Sequence, residues 1–173
     1  TERSPEDTGD DATDSAADDN GQSDVVVLPS GEFDPTIDAG YYENASLGDF
    51  VFEDTNGDGI QDDGEPGVEG VTVLLKKDGV LTGDETVTLA DGSYVFADLV
   101  PGTYSVQFVL PGGFAFTGTN VAGSDETNDS DADATMNGMT EEVTLTSGED
   151  YEDLDAGLLN TGATGLGDYV FTD

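Results

Sequence analysis

Forty acidic residues stand against three basic ones, Arg3, Lys76 and Lys77, and the chain holds no histidine and no cysteine. A formal charge of -37 over 173 residues opposes compaction through self-repulsion unless cations screen or bind the carboxylates. A donor set made only of oxygen, without imidazole or thiolate, selects Ca²⁺ or Mg²⁺ over zinc, copper or iron. The same imbalance removes whole classes of function. Nucleic acid and anionic membrane surfaces both require a basic footprint, so neither is an expected partner. Histidine-based acid-base catalysis, Ser-His-Asp triads and thiol nucleophiles have no residues to build them, and no disulfide can brace the fold. No secretory signal and no apolar run of membrane-spanning length is legible, which leaves no expectation of membrane insertion by this segment. The chain starts TERSPEDTGD, as a mature or excised sequence would.

Compared with itself, the chain repeats. Ile37-Asp38-Ala39-Gly40-Tyr41-Tyr42 matches Leu154-Asp155-Ala156-Gly157-Leu158-Leu159, and LGDFVFED at Leu47 to Asp54 matches LGDYVFTD at Leu166 to Asp173, with offsets of 117 and 119 residues. Such self-similarity marks a tandem array with a period of about 118 residues. The expected division is an acidic disordered linker over 1–30, the tail of a preceding unit over 31–44, one complete unit over 45–160 and the start of a further unit over 161–173. Because Asp173 matches Asp54, the chain is expected to be a fragment of a longer multi-repeat protein. Within the linker only Val25 to Leu28 offers apolar mass. An extra strand or docking peptide at VVVLP is the alternative there.

Inside the complete unit the pattern is β throughout. Tyr104, Val106, Phe108 and Leu110 alternate with Thr103, Ser105 and Gln107, the period of a half-buried strand. Further strands are expected at Leu47 to Glu53, Val71 to Lys76, Thr86 to Ala90, Tyr94 to Ala97, Glu142 to Thr146 and Leu154 to Leu159. Turn signals at Lys77-Asp78-Gly79, Ala90-Asp91-Gly92, Pro101-Gly102 and Pro111-Gly112-Gly113 separate them. No stretch has a capped 3.6-residue period, so the expectation is an all-β, seven-stranded, Greek-key-type sandwich with negligible helix. Phe50, Phe52, Tyr94, Phe96, Tyr104, Phe108 and Phe114 are the aromatic candidates for its core, a ligand groove being the alternative use.

The segment DTNGDGIQDDGE, Asp54 to Glu65, places oxygen donors at loop positions 1, 3, 5 and 9, glycine at 6 and glutamate at 12, the EF-hand loop signature. Asp54, Asn56 and Asp58 would each give one oxygen, Ile60 a backbone carbonyl, Asp62 a direct or water-mediated contact, and Glu65 a bidentate one, while Gly59 permits the sharp turn. A helix should follow a sensor loop. Here Pro66-Gly67-Val68-Glu69-Gly70 leads into VTVLL, so the loop is expected to clasp two strands. A second acidic cluster, GSDETNDSDAD at 123–133, offers Asp125, Asn128, Asp129, Asp131 and Asp133, with Asp49 and Asp155 as contributors from neighbouring strands. It matches no fixed motif, and a solvated acidic loop is the plain alternative. Asn44-Ala45-Ser46 and Asn128-Asp129-Ser130 fit the glycosylation sequon, a triplet common by chance.

Three motifs in order, LGDFVFEDTNGDGIQDDGEPGVEGVTVLL, ADGSYVFADLVPGTYSVQFVLPGGF and GSDETNDSD, resemble the B repeats of SdrD-type serine-aspartate-repeat surface adhesins, part of the CnaB-like, prealbumin-like sandwich group. The likeness runs from about Ser46 to Leu159. It implies a secreted or cell-surface protein, a calcium-stiffened stalk unit between neighbouring repeats, and the loop ligands already named. It also implies further calcium, so one Ca²⁺ is expected and two or three are within reach. Many CnaB-like domains carry a Lys-Asn isopeptide bond, but LGDFVFED has no lysine, and Lys76 and Lys77 come late in the next strand, so calcium is expected to brace the unit instead. The leading function is a non-catalytic calcium-binding spacer. The alternatives are a module binding an extracellular protein or a glycan, and a filament subunit assembled by strand exchange. A carboxylate-pair glycosidase is disfavoured by the small unit, which offers no evident cleft.

Overall fold

The computed structural model describes residues 2–3, 15–18, 20–119, 121 and 127–162. Its strands in chain order are β1 (Glu2–Arg3), β2 (Tyr41–Tyr42), β3 (Ala45–Glu53), β4 (Thr72–Lys77), β5 (Val80–Val87), β6 (Ser93–Leu99), β7 (Gly102–Val109), β8 (Phe114–Phe116), β9 (Val143–Leu145), β10 (Asp150–Tyr151) and β11 (Ala156–Asn160). One 3₁₀ turn, Ala134–Met136, is the only helical element among the described residues.

Two sheets make an all-β sandwich. In the first, β6 pairs antiparallel with one edge of β3, while β10 and then β11 pair parallel with the other edge, and β8 closes on β11. In the second, the order is β5-β4-β7-β9, all antiparallel. Leu47, Val51 and Leu158 from the first sheet and Val73, Val106 and Phe108 from the second are fully buried in one core. Tyr94 of β6 meets Phe108 of β7 edge to face across the layers at 5.5 Å, a geometry worth about 1 kcal/mol beyond the area it buries.

Of the seven aromatic candidates, Phe52, Tyr94, Phe96, Tyr104 and Phe108 are buried, whereas Phe50 is half-buried and Phe114 packs on the margin of the core. Leu110 was expected inward with Tyr104 but lies past the end of β7 and is exposed. The strand expected at Thr86 to Ala90 begins earlier, at Val80, because Asp78 and Gly79 both take positive φ (50° and 75°) and turn Lys77 directly onto Val80. That is the two-residue hairpin an Asp-Gly pair favours. Beyond β5 the Thr88 N–H still donates to the Val71 carbonyl at 3.0 Å, while its hydroxyl donates to the Val68 carbonyl at 2.6 Å and accepts from the Val71 N–H at 2.9 Å. Four short strands, β1, β2, β8 and β10, are not marked in the pattern; two or three residues carry no period.

Between β10 and β11 the edge of β3 is interrupted. There the Phe50 N–H, which a continuous neighbour would have taken, donates to Asp155 Oδ1 at 3.1 Å. At the other end of β3, only Glu43 and Asn44 separate it from β2. That short link is held on the unit itself: the Glu43 N–H donates to Ser147 Oγ at 2.8 Å, and its carbonyl accepts from the Gly148 N–H at 3.0 Å.

Candidate metal centre

The acidic loop leaves β3 at Asp54 and returns at Gly67, whose backbone bridges Phe52. Asp54 is buried, and its carboxylate organises the turn. Oδ1 accepts from the Gly57 N–H at 2.6 Å, and Oδ2 accepts from the Gly59 N–H at 2.9 Å and from the Thr117 hydroxyl. Burial works to raise its pKa, but the bonds from Thr117, Gly59, Gly57 and Asp58 outweigh it and hold the group below the usual carboxylate range. Gly59 has φ of 84°, and a Cβ there would lie 2.7 Å from the Gly118 carbonyl oxygen, so the position requires glycine twice over.

Farther round, the Asp58 N–H donates to Asn56 Oδ1 at 2.9 Å and the Ile60 N–H to Asp58 Oδ1 at 3.0 Å. Asn56 Nδ2 donates to Asp58 Oδ2 at 2.9 Å and to Asp62 Oδ2 at 2.8 Å. Glu65 closes the ring, its Oε1 accepting from the Thr55 N–H at 2.7 Å and its Oε2 from the Asp62 N–H at 3.3 Å. Asn56 therefore ties Asp58 to Asp62, its amide hydrogens set between the two carboxylates. Among the described residues no three acidic side chains form a closed ligating cluster.

The second acidic segment lies directly against the first. The Gln61 N–H donates to the Asn128 carbonyl at 2.7 Å, the Ser130 N–H to the Gly59 carbonyl at 3.1 Å, and Ile60 and Asp129 face each other in an antiparallel bridge. Asn128 Oδ1 is buried with no hydrogen-bond partner. From Ser130 the chain crosses to Asp155: the Asp131 N–H donates to the Asp155 carbonyl at 2.9 Å, and the Asp155 N–H donates back to Asp131 Oδ2 at 2.9 Å. Ser130 Oγ accepts from the Gly157 N–H at 3.0 Å. Asp133 is engaged elsewhere, accepting from the Thr135 N–H at 2.6 Å as the cap of the 3₁₀ turn. Asp125 lies outside the described residues.

Asp155 is 1% exposed, and its Oδ2 has no hydrogen-bond partner. Burial, reinforced by Asp49 and only partly offset by the Phe50 N–H, raises its pKa to about 8, with Asp131 and Asp153 adding to the rise. Asp49 is raised to about 7, first by burial and then by Asp153 and Glu152. Tyr94, whose hydroxyl donates to the Leu154 carbonyl at 2.7 Å, is driven up by burial and by the charges of Asp155, Asp49 and Asp131. An unpaired buried oxygen costs about 1–3 kcal/mol, and this one sits among other carboxylates. Hard oxygen donors around an unanswered negative charge fit Ca²⁺ or Mg²⁺.

Four contributors are not singled out by the sequence pattern. Thr117 and Ser130 are ordinary hydroxyls far from the residues they serve, and no spacing marks them. Glu152 and Asp153 stand beside Asp155 in EDLDAG, a signal that was visible and unused.

A family model described as the SdrD B-like domain matches residues 45–158. Among characterised proteins, the "Bone sialoprotein-binding protein" of Staphylococcus aureus (strain MRSA252) is 39% identical over 163 residues, which is 93% of this chain and 14% of that protein. The "Serine-aspartate repeat-containing protein E" of Staphylococcus aureus (strain MSSA476) is 39% identical over 93% of this chain and 13% of its own length. The chain thus spans about a seventh of the length of these relatives. A solved structure, "The Bacillus anthracis TIE protein", overlays with a TM-score of 0.40 at 12% identity, covering 69% of this chain and 16% of that one, too loose a match to inform the site.

Proposed function

The chain belongs to the SdrD B-like domain family, and from that membership we propose that residues 45–160 are a non-catalytic, calcium-braced spacer in a cell-surface adhesin. The observation that carries the reading is the backbone pairing of the two acidic segments, Gln61 to Asn128 and Ser130 to Gly59, next to the partnerless oxygens of Asn128 and Asp155. Asp54, Asn56, Asp58, Asp62, Glu65 and the Ile60 carbonyl would hold one ion. Asp49, Asp131 and Asp155, with Asn128 and Asp129 nearby, would hold further positive charge where β3, β11 and the crossing segment meet. Cations at these points offset carboxylate repulsion and lock the connections between strands, so the unit resists bending. The two-residue link at Glu43 and Asn44, bonded to Ser147 and Gly148, would pass that stiffness to a neighbouring repeat.

No helix among the described residues is long and apolar enough to cross a membrane. The ligand that the name of the bone sialoprotein-binding relative declares is assigned, in this reading, to other parts of the parent protein, with this unit holding them away from the surface. Calorimetric titration of Ca²⁺ into chelator-stripped chain tests the metal. At least one ion should bind per chain, with Kd no weaker than about 10⁻³ M, the range of extracellular modules. Absence of binding heat together with an unchanged melting midpoint would sink the proposal.

A further inference from the structure

Residues 14–44 repeat the end of the sandwich in sequence, and the described residues among them repeat its local geometry. Asp14-Ser15 corresponds to Asp129-Ser130, Asn20-Gly21 to Asn137-Gly138, Ser30-Gly31-Glu32 to Ser147-Gly148-Glu149, and Asp38-Ala39-Gly40 to Asp155-Ala156-Gly157. The backbone follows suit. The Ala16 N–H donates to the Asp38 carbonyl at 2.9 Å, as the Asp131 N–H does to Asp155 at 2.9 Å. The Asp18 N–H donates to the Gln22 carbonyl at 2.9 Å, and the Gly21 N–H to Asp18 at 2.8 Å. In the complete unit, Asp133 donates to Met139 at 3.1 Å, and Gly138 to Asp133 at 2.8 Å. Gly21 and Gly138 share a φ of 77° and 78°. Asp18 Oδ1 accepts from the Asn20 N–H at 2.8 Å, the counterpart of the Asp133 cap.

What differs is burial, and it differs at the core positions. Val26 and Leu28 align with Val143 and Leu145 of β9, Ile37 with Leu154, and Tyr41 with Leu158. Leu145, Leu154 and Leu158 are 1%, 3% and 0% exposed, whereas Leu28, Ile37 and Tyr41 are 56%, 47% and 59% exposed. In the complete unit, β9 pairs with β7, and β11 pairs with β3 and β8, all drawn from residues 45–116. Among the described residues, the N-terminal segment has the residues that seat on such a frame, but beside them stands only the two-residue strand β1, paired with Tyr41 and Tyr42.

We propose that residues 14–44 are the C-terminal third of a second sandwich of the same kind rather than a linker, and that the apolar edge of Val26, Leu28, Ile37 and Tyr41 takes, as its partner, a chain segment equivalent to residues 45–116. The partner is fixed by the seated copy in the same molecule. The proposal rests on the repeat reading above and is independent of calcium. It reassigns the acidic stretch before Val25 from solvated spacer to the crossing segment of a sandwich, so that consecutive units abut with only Glu43 and Asn44 between them.

The test joins a copy of residues 45–128 directly to residue 14 of the full chain, which preserves the aligned register, and follows amide hydrogen exchange. Exchange at Val26–Leu28 and Ala39–Tyr42 should slow by about 100-fold or more relative to the unextended chain. Val143–Leu145 in the same molecule report that the complete unit is folded. Fast exchange at 26–28 and 39–42 with protection intact at 143–145 overturns the proposal. In the extended protein, Leu28→Asp should return those amides to fast exchange and leave 143–145 unchanged; protection that survives the substitution would equally refute the assigned edge. A chain that gains protection yet binds no Ca²⁺ would defeat the calcium reading and leave this one standing.

Discussion

The loop from Asp54 to Glu65 and the cluster around Asp49 and Asp155 are both acidic, yet they solve the problem of negative charge in opposite ways. In the loop, N–H and hydroxyl donors already answer the carboxylates, and Asp54 is held below its usual pKa although it is buried. Around Asp155 the donors run out: one oxygen has no partner, neighbouring carboxylates press on it, and its pKa rises to about 8. In the proposed reading, a loop preorganised in this way would keep its shape and gain a cation as an addition. The interior cluster is burdened by its own charge and, in the proposed reading, would draw on positive charge from outside.

The largest expected effect comes from removing the cation from both at once. Ca²⁺ at a hundredfold excess over Kd stabilises the folded state by about 3 kcal/mol per site. A chelator that empties both regions should therefore lower the melting midpoint by roughly 20 °C for a unit of this size. Calorimetry with and without EGTA checks it, and coincident melts would mean that neither region is braced by metal.

Next in size, Asp54→Ala strips a buried carboxylate from the Gly57 and Gly59 N–H groups and the Thr117 hydroxyl. Leaving such donors buried and unmet costs about 2 kcal/mol. Because the loop is organised by these bonds and not by the ion alone, the loss should appear in EGTA as well as in Ca²⁺. Chemical denaturation in both buffers separates the outcomes; a variant as stable as the parent in EGTA would show that the loop needs metal to take its shape.

The contrast also explains how much was legible from residues alone. The first loop is a local code, with its candidate ligands within twelve residues and Gly59 where a side chain would meet the Gly118 carbonyl, so its turn was legible from spacing, whereas Thr117, which bonds Asp54 from 63 residues away, was not. The second region is assembled from β3, the crossing segment and the approach to β11, residues about a hundred positions apart; the sequence names Asp131 within the cluster and Asp49 and Asp155 as contributors from neighbouring strands, but no spacing gives their geometry. The sheets followed the same division. Strong alternation marked β3, β4 and β7, whereas β8 and β10 are strands only because β11 and β3 offer them an edge. The hairpin at Asp78-Gly79 was flagged as a turn, but the exposed residues after it, Val80 to Glu85, lack an apolar face to mark them as β5.

The smallest expected effect is the one that isolates the interior cluster. Asp49 and Asp155 titrate near 7 and 8 in the folded protein against an ordinary value of 3.8, so between these limits the folded state keeps protons that the unfolded chain has released. Their contribution is fully present below about pH 4 and is lost as pH rises through 7 and 8. In EGTA the melting midpoint should therefore fall between pH 5 and pH 8, the direction these two raised values set. General repulsion among the surface carboxylates would give a slope of the same sign, so the slope alone decides nothing. Asp155→Asn decides it: the amide keeps an oxygen for the Phe50 N–H and removes the buried charge. In EGTA at pH 8 the variant should melt higher than the parent with a flatter pH slope, while in Ca²⁺ it should lose the advantage as the second region binds less metal. A slope identical to the parent's would place the pH dependence in the surface charge and deny the interior cluster its special cost.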